Sequence, residues 1–222
     1  MNLIVMIPAY RAERTLPELI RRVRGVMPDA GILVVDDGSP DATAIAAGTN
    51  GATVLRHAVN KGKGAALQTG FDYVRFHTPA DFVLTMDADL QHLPEDIPNF
   101  IGVQKEMDAD IVVGWRQRKG TRMPFHRRMS NTITSALVGI RTGIRIKDSQ
   151  CGFRLIRKKV LEKVFTVSSG YEAETEFLIK AAKRGFRFAW APVQTVYGEE
   201  KSYMTHWKTT VKFIEVLFKE NA

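Results

Sequence analysis

The sequence is short of several features that would assign a protein at once. Among its 222 residues there is one cysteine, Cys151, so an intrachain disulfide and a cysteine-based zinc site are both excluded. No apolar run approaches the ~18 residues that a membrane-spanning helix needs. The opening NLIVMIP has no basic flank and is too short for a signal peptide, so it indicates a buried strand. We therefore expect a cytoplasmic protein, in solution or on a membrane surface.

The chain is long enough for one well-formed core, because a folded protein of this size buries roughly 70% of its unfolded surface. Its hydrophobic content of 45% and charged content of 25% exclude disordered, collagen-like and coiled-coil classes. We find no internal repeat and no linker that would separate two domains. The sequence predicts a single domain over residues 1–222.

Charge is distributed unevenly. Residues 1–114 carry 10 basic and 15 acidic side chains, whereas residues 115–163 carry 14 basic and two acidic ones. The net positive charge of residues 115–163 is therefore larger than the net charge of the whole chain, +8. It is either a solvated basic face or a surface for phosphate, lipid headgroups or nucleic acid.

Short apolar runs alternate with helical patterns through the first half. The runs are continuous and rich in Val and Ile, as strands buried on both faces must be. The predicted strands are 2–7, 32–35, 52–55, 82–86 and 110–114, and the predicted helices are 15–26, 41–47, 64–76 and 94–107. Thr15 and Asp41 are candidate helix caps. This alternation predicts an α/β fold with a mostly parallel central sheet and helices on both faces.

The rhythm changes after residue 114. The pattern predicts helices over 124–141, 158–165 and 172–184, and strands over 151–156 and 186–193. Residues 203–218 place apolar side chains at three- and four-residue steps with lysines between them. This segment is either a helix that packs on the core or an amphipathic helix in a bilayer interface.

Two acidic motifs follow buried strands, where a parallel sheet places its ligand site. MDADLQH follows strand 82–86, and Asp87 and Asp89 would repel each other unless a cation lay between them. Oxygen ligands favour Mg²⁺ or Mn²⁺, with diphosphate oxygens and water completing the shell. A plain acidic loop beside a helix is the alternative. VDDGSPDAT follows strand 32–35, and its acids could accept hydrogen bonds from a nucleobase or ribose.

Two weaker motifs belong to the same edge. IPAY ends the first strand with Tyr10, whose ring could stack on a base. NKGKG precedes a helix and offers Lys63 and small residues to an anion. It is not a P-loop, because the GxxxxGK[ST] spacing is absent.

Together these motifs carry a resemblance. IPAY, VDDGSPDAT, NKGKGAALQTG, MDADLQH, GWR and DSQCGFR stand in the order found in family 2 glycosyltransferases. The chain most closely resembles the dolichol-phosphate mannose synthase-like branch, the polyprenyl-phosphate hexosyltransferases, from about Leu3 to about Ser202. The resemblance implies a GT-A (Rossmann-like) fold with a nucleotide- and metal-binding half (1–114), an acceptor half (115–202) and an amphipathic C-terminal helix (203–222).

The resemblance also implies site residues. Those expected to hold the nucleoside are Pro8, Tyr10, Asp36 and Asp37. Those expected to bind the metal are Asp87, Asp89 and Gln91. Ala88, between the two aspartates, is expected to contact the donor. Arg116 and Arg127 match basic positions that engage phosphates, and with Asp89 they form the expected catalytic set. Those expected around the sugar are Asp148, Gln150 and Gly152, and those expected in a late loop are Lys201 and Ser202. Where the family carries PAYNE, this chain has Ala12 and then Glu13, the nearest equivalent acid.

The expected reaction is inverting transfer of a hexose from a nucleotide-diphosphate sugar to a lipid phosphate, with a cation that neutralises the leaving diphosphate. A phosphate monoester has a second pKa of ~6, so it is largely dianionic at pH 7 and needs arginines rather than a general base. A hydroxyl acceptor would need a carboxylate base, for which Glu172 and Glu174 are the candidates. A sugar nucleotidyltransferase and a nucleic-acid-binding module are further alternatives, and we expect no nucleic acid. Access to the lipid would come through the basic segment and terminal helix at the cytoplasmic face of a membrane, or through a membrane-protein partner.

Overall fold

The computed structural model describes residues 1–116, 125–194 and 215, and for residues 125–128 and 130 it describes the backbone alone. Seven strands in this part of the chain form one sheet. They are β1 (Leu3–Ala9), β2 (Gly31–Asp36), β3 (Thr53–Arg56), β4 (Phe82–Thr85), β5 (Ile111–Arg116), β6 (Arg154–Arg157) and β7 (Phe188–Val193). All seven lie where the apolar runs predict them. β6 is shorter than expected, because Cys151–Phe153 precede the strand without pairing in it.

The sheet order is β3-β2-β1-β4-β6-β5-β7. Every neighbouring pair is parallel except those that β6 makes with β4 and β5. The α/β fold with a mostly parallel sheet is therefore confirmed. The direction of β6 was not predicted from the sequence, and it brings the segment that enters β6 to the edge where β4 and β5 end.

Seven α-helices occur in the described residues. They are α1 (Leu16–Val26), α2 (Thr43–Thr49), α3 (Lys63–His77), α4 (Ile97–Met107), α5 (Phe125–Thr142), α6 (Lys158–Leu161) and α7 (Glu172–Lys183), with a 3₁₀ turn at Pro94–Asp96 before α4. α6 is one turn long, shorter than the predicted 158–165. The other helices agree with the predicted bounds to within two or three residues, the 3₁₀ turn accounting for the start of α4.

The core covers both faces of the sheet. Consecutive residues Val5, Met6 and Ile7 of β1 are all fully buried, although their side chains point alternately to opposite faces. α3 lies against one face so closely that a Cβ on Gly70 would stand 2.1 Å from Sδ of Met6. A residue without a side chain is therefore required where this helix crosses β1.

The two predicted helix caps have different outcomes. Thr15 occupies the N-cap position of α1 as predicted, but its hydroxyl donates to the carbonyl of Ala12 and makes no cap bond to the helix. The N-cap position of α2 is occupied by Ala42 and not by Asp41, whose Oδ1 accepts from the amide of Thr43, the first residue of α2, at 3.2 Å. Pro17 in the first turn starts α1 without a side-chain cap.

Several apolar residues of α5 are exposed to solvent, although Val138 of the same helix is fully buried. Asn131 and Ser135 face the protein, and Ile133 and Ile140 are 52% and 81% exposed. The exposed set is completed by Met129 and Leu137. No helix among the described residues is long and apolar enough to cross a membrane. The segment 203–222 lies outside the described residues, apart from Glu215, which is helical and exposed.

Candidate active site at the carboxyl edge of the sheet

The predicted motifs meet at one edge because β1, β2, β4 and β5 all run in the same direction. Ala9 pairs with Asp36 at the ends of β1 and β2, so Tyr10 and Asp37 leave the sheet side by side. β4 ends at Thr85, and the MDADLQH turn follows. Arg116 is the last residue of β5.

Asp37 is engaged by the protein itself. Its carboxylate accepts hydrogen bonds from the backbone amides of Lys61 (2.9 Å) and Gly62 (2.8 Å), and its Oδ1 lies 2.7 Å from Nδ1 of His57. Nε2 of His57 lies 2.9 Å from the hydroxyl of Thr69 on α3. Asp37 therefore fixes the loop that leads into α3. Sequence reasoning missed His57, although it directly follows β3 at the same edge.

Asp36 is fully buried, and its Oδ1 accepts from the amide of Ser39 at 3.0 Å. Its Oδ2 lies 3.1 Å from Nε of Arg56, but no donor in the described part of the chain is aligned with that oxygen for a hydrogen bond. Asp36 and Arg56 therefore attract each other as opposite charges, without a hydrogen bond to Oδ2. The predicted role of both aspartates at the nucleoside remains a prediction.

Tyr10 is the member of the first motif that faces solvent, with 39% of its surface exposed. Arg11 follows it in a left-handed conformation (φ 54°), and its guanidinium stands 5.3 Å from the Tyr10 ring centroid. Pro8 is buried within β1, and its predicted contact with the nucleoside stays a prediction. Glu13 accepts from the amide of Ala42 at 3.0 Å and so contacts the start of α2.

The centre of the edge is an ion cluster that joins three elements. Nζ of Lys63, the first residue of α3, lies 2.6 Å from Oδ1 of Asp87 and 3.3 Å from Oε2 of Glu174 on α7. Burial alone would raise the pKa of Asp87, but the charge of the Lys63 ammonium outweighs it and lowers this pKa to about 2. Burial would likewise lower the pKa of Lys63, but Asp87 and Glu174 raise it above its ordinary value. Asp87 and Lys63 are therefore both charged at neutral pH.

Gly152 forms the wall of this cluster. A Cβ at this position would lie 2.8 Å from Oε1 of Glu174, 3.1 Å from Nζ of Lys63 and 3.3 Å from Oδ1 of Asp87. The structure thus gives a steric reason for the glycine in DSQCGFR: its backbone approaches all three charged groups. Among the predicted site residues, Lys63, Asp87 and Gly152 are the ones brought together most closely.

The MDADLQH turn is held from behind by His92. Nδ1 of His92 accepts from the amide of Asp87 at 3.2 Å, and its ring stacks on Phe153 with centroids 5.1 Å apart. Burial lowers the pKa of His92, so the imidazole is neutral and can accept this bond. Ala88 is almost fully buried, and its predicted contact with the donor stays a prediction.

The turn can hold a divalent cation with help from a ligand. Asp87 and Asp89 offer hard carboxylate oxygens, and Oδ1 of Asp89 accepts from the amide of Gln91 at 3.0 Å. Over the residues that the structure describes, no group of three or more His, Cys, Asp or Glu side chains is placed to hold a metal. These residues therefore fit Mg²⁺ or Mn²⁺ only if diphosphate oxygens and water supply most of the shell.

Arg116 and Asp148, predicted to contact phosphate and sugar separately, contact each other. Nε and NH2 of Arg116 donate to the two oxygens of Asp148 at 2.8 and 2.9 Å. Asp148 is buried, which would raise its pKa, but the charge and hydrogen bonds of Arg116 lower it. The amide of Gln150 donates to Oδ1 of Asp148 at 3.1 Å, and the Gln150 side chain is exposed.

A buried arginine that sequence reasoning missed ties these parts together. Arg154 donates to the carbonyls of Cys151 (2.8 Å), Glu174 (2.9 Å) and Ser149 (3.2 Å). It thereby links β6 and the DSQCG segment to α7. Cys151 is buried, which raises the pKa of its thiol to about 12, so this thiol is not a nucleophile at neutral pH.

Three predicted site residues cannot be located. The side chain of Arg127, at the start of α5, and the late-loop residues Lys201 and Ser202 lie outside the part of the chain that the structure describes. The same holds for the basic residues Arg118, Lys119 and Arg122 of the strongly positive stretch.

Proteins of known name are similar to this chain over most of its length. The chain is 30% identical over 210 residues to the undecaprenyl-phosphate mannosyltransferase of Micrococcus luteus, a match that covers 90% of this chain and 85% of that protein. It is 31% identical over 202 residues to the polyprenol monophosphomannose synthase of Mycolicibacterium smegmatis, covering 86% and 76%.

The fold is shared with the glucosyl-3-phosphoglycerate synthase of Mycobacterium tuberculosis. Its structure in complex with Mg²⁺ and uridine diphosphate superposes with a TM-score of 0.77 at 21% identity, covering 97% of this chain and 78% of that one. This likeness establishes the GT-A fold. The model of the family described as "Glycosyl transferase family 2" matches residues 4–165, and the chain therefore belongs to glycosyl transferase family 2.

Proposed function

We propose that this glycosyltransferase moves a hexose from a nucleotide-diphosphate sugar to a polyprenyl phosphate. Two relatives of about 30% identity are named for such products, undecaprenyl-phosphate mannose and polyprenol monophosphomannose. These names support a lipid monophosphate as the acceptor and make mannose the first sugar to test.

The observation that carries the choice of acceptor is the pairing of Glu174 with Lys63. A hydroxyl acceptor needs a carboxylate base, whereas a phosphate that is already anionic does not. Glu174, a candidate base, is buried and has Oε2 3.3 Å from the Lys63 ammonium. Glu172, the other candidate, accepts from the amide of Gly170 and is also buried. Both carboxylates are thus already engaged, which favours an acceptor that needs no base.

The acceptor phosphate would be positioned by arginine. Arg116 is held in a fixed orientation by its two bonds to Asp148, and about a fifth of its side chain remains exposed at the edge. A guanidinium held in one orientation in this way suits the binding of a phosphate, which arginine recognises well. The proposal adds Arg127, Lys201 and Ser202 to this group by resemblance.

On the donor side, the proposal places the base against Tyr10 and the buried Asp36 and Asp37, and the diphosphate near Lys63. Asp87 and Asp89, with Gln91, would hold Mg²⁺ or Mn²⁺, which neutralises charge on the departing diphosphate when bound. The Mg²⁺ and uridine diphosphate in the structurally similar enzyme support a cation at this fold's site. His92 and Leu90 keep the turn in place, Leu90 in a left-handed conformation with φ 60°.

A lipid acceptor requires that the carboxyl edge of the sheet lie close to a membrane. α5 offers a surface that could contact the membrane. Its exposed face carries Met129, Ile133, Leu137 and Ile140, which are spaced as one stripe of a helix. Arg145 and Lys147 follow the helix and are exposed. An apolar stripe flanked by cations suits the headgroup region of an anionic bilayer. We place the protein peripherally on the cytoplasmic face on this ground, and a membrane-protein partner is the competing route.

A transfer panel tests the function. GDP-mannose, UDP-glucose and UDP-GlcNAc are each incubated with a polyprenyl monophosphate and Mn²⁺ or Mg²⁺, with chelated and Asp89→Ala samples as controls. The expected result is lipid-linked hexose from one donor, lost on chelation and reduced at least 100-fold in the variant, as expected when stabilisation of developing charge is removed.

Two other results would change the assignment. Transfer to a water-soluble sugar hydroxyl, with none to the lipid phosphate, would favour the hydroxyl acceptor and return Glu172 and Glu174 to the role of base. Tight duplex DNA binding that weakens steeply with salt, with no nucleotide-sugar binding, would favour a nucleic-acid module instead.

A further inference from the structure

Lys63 stands where a lysine is electrostatically unfavourable. It is the first residue of α3, and the N-terminus of a helix carries partial positive charge that disfavours a cation. Its side chain is also mostly buried. Two carboxylates compensate, and they come from different parts of the chain: Asp87 after β4 and Glu174 on α7.

The two carboxylates are not equivalent partners. Asp87 is nearer, with 2.6 Å between Nζ and Oδ1, whereas Oε2 of Glu174 lies at 3.3 Å. Both are within reach of the ammonium without backbone movement. The backbone of Gly152 lines the third side of the cluster, and Gly152 places no side chain between the ammonium and either carboxylate. A small rotation of the Lys63 side chain would therefore exchange its nearer partner.

Asp87 is also one of the two carboxylates placed to bind the cation in the proposed function. Lys63 and a divalent cation on the same carboxylate would repel each other at short range. If the Lys63 ammonium moves from Asp87 to Glu174, this repulsion is relieved. Lys63 then pairs with Glu174, and the divalent cation pairs with Asp87 and Asp89.

We propose that Glu174 is a positioning residue, which receives the Lys63 ammonium when Asp87 binds the donor's cation. The inference rests on the proposed function for the identity of that cation. It assigns Glu174 a role through Lys63, and a base that takes a proton from the acceptor is not part of it. Lys63 holds Asp87 in place before the donor arrives, and Glu174 then accepts the ammonium when the cation takes its position on Asp87.

Binding of Mn²⁺ to the full chain in the presence of uridine or guanosine diphosphate tests this, measured from the EPR signal of free Mn²⁺ against the same mixture without protein. In Glu174→Gln the ammonium has no second carboxylate, so it stays on Asp87, and we expect Mn²⁺ affinity to fall at least tenfold. In Lys63→Met the competing cation is absent, and affinity is expected to equal or exceed that of the wild type. The double variant is expected to regain the affinity of Lys63→Met. Glu106→Gln, an exposed site on α4, is the matched control and should bind as the wild type does.

Suppression of Glu174→Gln by Lys63→Met is the result that a merely structural role or a general base would not give. The proposal is overturned if Glu174→Gln binds Mn²⁺ like the wild type, or if the double variant binds as weakly as Glu174→Gln. It is also overturned if Lys63→Met alone weakens binding tenfold, a result that stands even when Glu174→Gln does not fold.

The outcome is separable from that of the transfer panel. If the Mn²⁺ pattern holds and no donor is turned over, the proposed function fails while the coupling of Lys63, Asp87 and Glu174 stands. If transfer occurs and the Mn²⁺ affinities do not change, the function stands and the role of Glu174 fails. With an active enzyme, Glu174→Gln should raise the KM for the donor more than it lowers kcat, and its pH profile should keep both limbs of the wild-type curve.

Discussion

Arg116 at the end of β5 and Asp148 before β6 form a two-point ion pair, with N–O distances of 2.8 and 2.9 Å and the carboxylate buried. Because β5 and β6 are antiparallel neighbours, the end of β5 lies beside the start of β6. The ion pair joins the two strands at this edge of the sheet. It also fixes the direction of the arginine that we assign to the acceptor phosphate.

The first prediction concerns that pair. Asp148→Asn leaves the Arg116 guanidinium without its anionic partner in a mostly buried position, and we expect a loss of about 3 kcal/mol in the free energy of unfolding. Urea denaturation measures it. Asp108→Asn is the matched control, because Asp108 is largely exposed where it pairs with Arg157 and Arg187. There the loss should stay below about 1 kcal/mol. Equal losses in both variants would contradict the account.

The second prediction concerns acid. Asp87 and Asp148 both have folded-state pKa values below the ordinary value, that of Asp87 at about 2. A carboxyl with a lowered folded pKa contributes stability that is fully present above its unfolded pKa of about 4 and is lost as the pH falls through the folded value. The free energy of unfolding should therefore drop between about pH 4 and pH 2. Asp87→Asn should flatten this slope in denaturation curves taken across that range, and an unchanged slope would refute the assignment.

The third prediction concerns Gly152. Gly152→Ala would place a methyl group 2.8 Å from Oε1 of Glu174, so the Lys63 cluster must open. We expect the affinity for the nucleoside diphosphate part of the donor to fall at least tenfold. Isothermal titration calorimetry with the nucleoside diphosphate and Mn²⁺ measures this. Gly102→Ala is the control, since a Cβ there meets nothing within 4 Å. In the middle of α4 it should raise stability by up to about 1 kcal/mol and leave binding unchanged.

The fourth prediction concerns α5. Ile133→Asp with Ile140→Asp should reduce binding to vesicles rich in anionic lipid by at least tenfold in sedimentation assays, while transfer to a short-chain, water-soluble prenyl phosphate is retained. Stability should hardly change, because both side chains are exposed. Val167→Asp is the control, since Val167 is 77% exposed at a distance from α5 in the sequence. Full vesicle binding by the double variant would exclude α5 as the contact surface.

Sequence reasoning recovered the strands and most helices because their signal is local. A run such as LIVMI is apolar at every position only if both faces of its strand are covered, and β1 is buried in this way. The motifs also needed no contact information, since a parallel sheet brings the ends of its strands to one edge. The resemblance to glycosyl transferase family 2 was confirmed for the same reason: its motifs follow those ends.

The parts that sequence could not give depend on contacts between distant residues. Arg154 and Arg116 contribute equally to a count of basic residues, yet Arg154 is buried under three carbonyls and Arg116 pairs with Asp148. Part of the basic surplus is thus internal. Likewise, Glu174 reads as a free carboxylate until α7 is seen beside Lys63, more than 100 positions earlier in the chain.

The position of β6 has a consequence for engineering. This strand comes late in the chain but lies between β4 and β5, so its hydrogen bonds on both sides join it to strands from the first half of the chain. A cut after β5 would leave β4 and β5 separated by a gap one strand wide. Chimaeras that exchange donor and acceptor halves at that point would have to match strand registers on both sides of β6. Specificity in this enzyme should therefore be altered by exchanging loops at the carboxyl edge, where the sheet itself is left whole.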